Sequence, residues 1–178
     1  MKKLLITFTV IMFGTHASAF DPNDLQKLKA EYVYCSDCDL SGAILTDSNM
    51  WRAYLKNANF ENADLSRANL GNAKMYFANL RNANLKSAYL SGAGLTNANL
   101  KGANLEDATI SEADLENANL QGANLKGAYL VGTDLSGANL KNANLSNARM
   151  RGVILCNTTV PDGRVVSVSY THLTLPTN

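Results

Sequence analysis

The sequence predicts an all-β repeat fold, built from short extended segments joined by tight turns. Three observations predict it. From Leu40 to Leu155 every fifth residue is large and apolar, and it is Leu at all but Met50, Phe60, Met75, Ile110 and Met150. The residue two before each is Ala, except at Cys38, Ser48, Thr133 and Val153. The residue two after is often Gly or Asn, as at Asn82, Gly102, Gly122, Gly127, Gly132, Gly137, Asn142 and Asn147. Self-similarity at a fixed period decides the architecture before any propensity does.

The chain opens on a leader. Lys2 and Lys3 precede an apolar stretch from Leu4 to Phe13, and Ala17-Ser18-Ala19 supplies small residues before Phe20, the pattern of a secretory signal over residues 1–19. Ten apolar-rich residues are too few to cross a hydrocarbon core that needs about 20. Cleavage leaves 14 positive and 15 negative side chains and a periplasmic or secreted product, with no membrane insertion. Residues 20–34 read as a short capping helix. Asp21 stands as N-cap, Pro22 opens the first turn, and Leu25, Leu28 and Tyr32 recur at spacings of three and four. Such a helix would cover the unpaired edge of the first repeat.

Residues 35–160 carry the repeat, and neither a helix nor a plain strand satisfies it. Five residues at about 100° each advance roughly 500°, so successive leucines would precess by about 140° and never share a face. Frequent Asn and Gly also oppose a helix. A continuous strand flips side-chain parity at every fifth residue. A three-residue extended segment followed by a turn works, because the large residue and the Ala two before it then point the same way. Gly or Asn at the end of each unit suits the positive φ of a tight turn.

The array A-N/D-L-x-x, as in Ala103-Asn104-Leu105-Glu106-Asp107, resembles the pentapeptide-repeat proteins over about two thirds of the chain. The resemblance implies a right-handed quadrilateral β-helix with four units per coil, hence about six coils, with the short N-terminal helix as its cap. Residues twenty apart then stack. Phe60, Leu80, Leu100, Leu120 and Leu140 form one inner ladder, and Leu45 through Leu145 another. Ala accompanies each large residue because a narrow interior has no room for two large groups per unit. Outside, Asn59, Asn79, Asn99, Asn119 and Asn139 form a column whose amides can bond along the axis, a lattice role rather than a ligand site.

Beyond the repeat, Pro161-Asp162-Gly163 signals a turn, and residues 161–178 read as a C-terminal tail. This ending is similar to that of exported, periplasmic-type members of the family. Ser167 to Asn178 shares nothing with the repeat and resembles read-through from a cloning or sequencing adaptor, so it is expected to be non-native. A terminal strand closing the last coil is the alternative.

The chemistry open to the chain is limited. Its two histidines, His16 and His172, fall in the leader and the tail, so the body holds none for base catalysis or metal ligation. Neither a catalytic set nor a cofactor or metal site is expected, and the chain is read as a non-enzyme. Cys35 and Cys38 form a C-x-x-C on inward positions flanking the first corner. A turn holds its first and fourth Cα within about 7 Å, which fits a disulfide or buried pair, with redox exchange and metal binding as alternatives. The third thiol, Cys156, falls outward. Glu106, Asp107, Glu112, Asp114 and Glu116 read as a solvated face that Lys101, Lys126 and Lys141 partly neutralise. Trp51, Tyr54, Tyr89 and Tyr129 fall outward, and exposed aromatics of this kind can anchor a partner surface.

Two function classes follow. A filled interior leaves only the outside for recognition, which makes the chain a rigid scaffold or interaction surface for a protein partner. The resemblance also implies an alternative, since some family members mimic duplex DNA and bind topoisomerases. That activity needs a negative surface, whereas residues 36–160 carry 11 basic and 11 acidic side chains. No nucleic-acid partner is expected on the same ground.

Overall fold

The computed structural model describes residues 33–167 together with Asp21, Asn23, Asp24 and Leu28. The leader over 1–19, most of the expected cap over 20–34 and the tail from 168 lie outside the described residues.

Each five-residue unit closes its own hydrogen bonds in the same way. Ala, the outward residue and the large residue are extended, and the two that follow turn the corner. The Ala N–H donates back to the preceding large residue's carbonyl, as from Ala103 to Leu100 at 3.0 Å, which closes the turn. The second corner residue has positive φ throughout, as the third position of a type II turn requires. All eight Gly and Asn corners named above adopt it, between 55° at Asn82 and 71° at Gly132. The outward residue donates to the coil before and the large residue to the coil after: Asn104 N–H to Ala83 at 2.9 Å, Leu105 N–H to Asn124 at 2.7 Å.

The second corner residue also donates to the coil after, as Asp107 N–H does to Lys126 at 2.9 Å, which leaves one donor over, the N–H of the first corner residue. Every Asn or Asp at the outward position between Asp39 and Asn144 takes it on its side-chain oxygen, as Asn139 does from Lys141 at 3.0 Å. The amide has a second use. Asn84, Asn104, Asn124 and Asn144 each donate to the residue twenty before, starting at Asp64, and Asn59, Asn79 and Asn99 do the same from Asp39. Satisfying a backbone donor and binding the next coil together explain why Asn fills this position.

Bridges join residue n to n+20 without a slip, from Tyr34–Tyr54 to Asn139–Thr159. A coil therefore takes twenty residues and has four sides. The first side is centred on Leu40, Phe60, Leu80, Leu100, Leu120 and Leu140; the second on Leu45 to Leu145; the third on Met50 to Met150; the fourth on Cys35, Leu55, Met75, Leu95, Leu115, Leu135 and Leu155. The large residues and their alanines fill the interior, with most at 2 % exposure or less. Burying each Leu contributes roughly 1.5–3 kcal/mol. One bridged residue per side is too short to register as a strand. Among the described residues the regular strands are β1, Thr158–Thr159, and β2, Val165–Val166, paired antiparallel around the Pro161-Asp162-Gly163 turn.

The first coil is capped by substitution. Asp39 has no preceding coil to receive its N–H, and the Asp24 carboxylate takes it at 2.8 Å. The Asp39 carbonyl accepts from Asp21 N–H at 3.1 Å. Asn23 and Asp24 are helical, Asp21 Oδ1 accepts from Asn23 N–H at 2.8 Å, and Leu28 is buried in the core.

Candidate interaction surface

With the interior filled, chemistry must be sought on the four outer sides, and these differ. The first and second sides follow the Asn/Asp rule at the outward position, apart from Ile44 and the terminal Thr159. Their corner charges neutralise one another down the axis. Arg67 clasps Asp47 with two bonds of 2.7 and 2.6 Å, Arg81 meets Glu61 at 3.3 Å, and Glu106 lies 3.3 Å from Lys86 and 3.5 Å from Lys126. The Arg67 bond holds the Asp47 carboxyl below its ordinary range, and chiefly the Lys86 bond does the same for Glu106.

The third and fourth sides keep the rule only at Asn49, Asn69, Asp114 and Asp134. Outward positions on the third read Asn49, Asn69, Tyr89, Thr109, Tyr129 and Arg149; on the fourth, Tyr34, Tyr54, Lys74, Gly94, Asp114, Asp134 and Ile154. Trp51, Tyr76, Phe77 and Val131 stand at their corners. Each residue that replaces Asn or Asp leaves a corner N–H without its side-chain acceptor. Cations here rest on rings instead of carboxylates. The Arg52 guanidinium lies 4.2 Å from the Trp51 ring, Lys74 Nζ 4.4 Å from Tyr54, and the Arg149 guanidinium 4.6 Å from Tyr129. Tyr34 stacks on Tyr54 with ring centres 4.7 Å apart.

The four aromatics expected to be exposed are so, with Trp51 and Tyr89 each at 47 %. Tyr89 and Tyr129 flank Thr109 in one column, and Trp51 leans toward Tyr89 over Gly71. A Cβ at Gly71 would come 2.7 Å from Tyr89 and 3.1 Å from Trp51. Gly94 has the same role beneath Tyr76, where a Cβ would meet the ring at 2.6 Å. Gly71 and Gly94 are the repeat glycines outside left-handed corners. Sequence reading missed Tyr34, assigned to the cap, and Tyr76 and Phe77, which stand at corners. The off-register glycines were the available signal.

Cys35 and Cys38 are buried and joined, with Cα atoms 5.2 Å apart, and Cys156 is a free, half-buried thiol. The five carboxylates do not share a side. Glu106 and Asp107 stand at the second corner, Glu112 at the third, and Asp114 and Glu116 on the fourth side and its corner. The expected neutralisation also needs correcting. Lys126 reaches Glu106, but Lys86 is the nearer cation, while Lys101 and Lys141 stack at the first corner with Arg81, one side away.

No curated protein matches the chain. Among solved structures it is similar to a pentapeptide-repeat protein, Rfr23, of the cyanobacterium Cyanothece 51142, at 32% identity over 74% of this chain and 92% of that one, TM-score 0.46. HetL of Nostoc sp. strain PCC 7120, involved in heterocyst differentiation regulation, shares 29% over 75% and 74%, TM-score 0.32. QnrB1, a plasmid-mediated fluoroquinolone resistance protein, shares 27% over 74% and 73%, TM-score 0.38. The family model of pentapeptide repeats matches residues 34–72, 78–117 and 118–157 in eight copies. The chain therefore belongs to the pentapeptide-repeat family, and its fold is that family's right-handed quadrilateral β-helix.

Proposed function

We propose that this protein is a non-enzymatic, exported solenoid of about six coils that presents its third and fourth sides to a protein partner in the periplasm or outside the cell. One observation carries the reading. An Asn or Asp at the outward position satisfies a backbone donor and binds the neighbouring coil, yet at Tyr34, Tyr54, Lys74, Tyr89, Tyr129 and Arg149 the chain puts an aromatic or a cation there instead. Those substitutions fall on two adjacent sides. Aromatics and Arg are the residues that dominate protein–protein contacts, because they bury large area at small entropic cost. The resulting surface would be a scaffold face, with the capping helix over 20–34 and the Cys35–Cys38 link holding its first coil.

Capture from periplasmic extract tests the proposal. Replacing Trp51, Tyr54, Tyr89 and Tyr129 together by Ala should abolish capture of the specific partner, whereas Asn99→Asp and Asn119→Asp on the first side should preserve it. Equal capture by both variants would sink the reading. N-terminal sequencing of the mature protein should begin at Phe20, and a start at Met1 would remove the export step. The topoisomerase-binding alternative has against it the equal numbers of acidic and basic side chains over residues 36–160. A supercoiling assay should show no inhibition.

A further inference from the structure

The outward column of the fourth side runs Tyr34, Tyr54, Lys74, Gly94, Asp114, Asp134, Ile154, bridged at every step. Gly94 is its midpoint. Read from the two ends inward, Tyr34 meets Ile154, Tyr54 meets Asp134, and Lys74 meets Asp114. Each pair is complementary: ring against aliphatic, phenol donor against carboxylate, ammonium against carboxylate. A two-fold axis lying in the interface plane over Gly94, along the strand direction, lays the column of one copy antiparallel on that of another and makes every one of these pairs twice. That is the self-complementarity an isologous interface requires.

Charge within the chain leaves these groups available. Among the described residues of the repeat, every ion pair stands at the corners of the first and second sides, and neither Lys74, Asp114 nor Asp134 joins one. Lys74 rests on Tyr54; Asp114 accepts only neutral donors, the Thr96 hydroxyl at 2.7 Å and Glu116 N–H at 2.9 Å; Asp134 accepts Ser136 N–H at 2.8 Å. At the centre the Tyr76 ring lies across Gly94, so an axis there brings two aromatic rings together, flanked by opposite charges. The rotation keeps each corner of the side against the same corner of the other copy. It sets Trp51 and Arg52 opposite Val131 and Gly132, and Tyr76 and Phe77 opposite Glu116 and Asn117, so no like charges meet.

We propose that the partner seated on the fourth side is a second copy of this chain, in an antiparallel dimer about an axis at Gly94, with Lys74 paired to Asp114 of the other copy. The proposal rests on the reading that this surface binds protein, and it names the protein. Seven rows at about 4.8 Å make a strip roughly 29 Å long and one side wide. That is less than a standard interface of about 1,600 Å², so dissociation in the micromolar range is expected.

Sedimentation velocity of the purified protein, from about 5 to 200 μM, should show a reversible monomer–dimer equilibrium. Lys74→Asp sets carboxylate against carboxylate and should weaken dimerisation at least tenfold, while supplying the Asp oxygen that the Tyr76 N–H lacks and thus raising the melting temperature. Loss of the dimer then cannot be blamed on unfolding. Asp114→Lys should weaken it similarly, and Asp114→Asn, which keeps the corner acceptor, by less. Combining Lys74→Asp with Asp114→Lys should restore the affinity to within about threefold of the parent. A parent chain monomeric at 200 μM would overturn the proposal, and so would single variants that dimerise like the parent or a double variant that stays monomeric. A monomeric parent whose extract capture still depends on the aromatics leaves the interaction-surface reading standing. A dimer whose aromatic variants capture the same extract proteins ends the heterologous part of that reading and leaves the dimer intact.

Discussion

Single residues reveal where this lattice is satisfied and where it is strained. Phe77 occupies a corner at φ 60° and is 55 % exposed, in a column where Asn57, Asn97 and Asn117 adopt the same conformation without strain. The left-handed region costs an ordinary L-residue roughly 1–2 kcal/mol, and Asn much less. Phe77→Asn should therefore raise stability by about 1 kcal/mol, seen as a higher midpoint in denaturant. No change would mean that the ring recovers the strain through packing. The Ala position offers a second test. Ser48 is buried there with its hydroxyl unbonded, whereas Thr133 and Thr158 at equivalent positions donate to Ile110 and Leu135 carbonyls at 2.8 and 2.7 Å. An orphaned buried hydroxyl costs about 1–3 kcal/mol, so Ser48→Ala should stabilise by about 1 kcal/mol while Thr133→Ala should destabilise. If both moved stability the same way, volume rather than hydrogen bonding would govern this position.

At the scale of the five-residue element, the outward Asn links one unit to itself and to the next coil. Asn104 accepts Glu106 N–H at 3.2 Å, donates to Asn84 at 3.2 Å and receives Asn124 at 3.1 Å. Asn104→Ala removes all three and should cost about 1–3 kcal/mol by denaturant titration. A loss below about 0.5 kcal/mol would show that water replaces the amide. The end element invites a parallel test. Asp24→Ala deprives the Asp39 N–H of its acceptor, so amide exchange at Asp39 should accelerate while that at Asn99, three coils inward, stays slow. Much of this element was legible in the sequence, because a five-residue period with Ala and Leu two apart admits one arrangement of inward and outward positions. The amide column was legible through the resemblance, which implied that residues twenty apart stack. The corner N–H was missed: it is a bond between residues two apart whose need appears only once the other four donors of the unit are accounted for. The aromatic surface was half legible. Trp51, Tyr54, Tyr89 and Tyr129 stood out as outward aromatics, but their gathering on two sides depends on the twenty-residue spatial period. Lys86 was missed as the partner of Glu106 although the two are one coil apart.

Over the whole molecule, two periods coexist, and they separate stability from recognition. The interior repeats every five residues, so any unit's Ala and Leu fit any side. The surface repeats every twenty, because only residues one coil apart are neighbours along the axis. Deleting residues 81–100 removes one coil and returns every later residue to its own side, so the third and fourth sides keep their aromatic character. Deleting residues 81–85 removes one unit and moves everything after it by one side. Tyr89, Thr109 and Tyr129 then leave the column of Asn49 and Asn69 for the one that Ile44 and Asp64 begin. Nearest-neighbour coil contacts dominate a solenoid's stability, so both deletion variants should fold and unfold cooperatively, the shorter one with the lower melting temperature. Their binding should diverge in the opposite sense. The twenty-residue deletion keeps a continuous third side and should retain partner capture in part, whereas the five-residue deletion, nearly full length, should lose it. Circular dichroism melts and extract capture on the two proteins measure both halves of the expectation. If the five-residue deletion fails to fold, the interior is specific to each side, through residues such as Phe60 and Met75, and the separation of the two periods is wrong. If it folds and still captures the partner, recognition resides on the coils before residue 80, where Tyr34, Trp51, Tyr54, Tyr76 and Phe77 all remain in place.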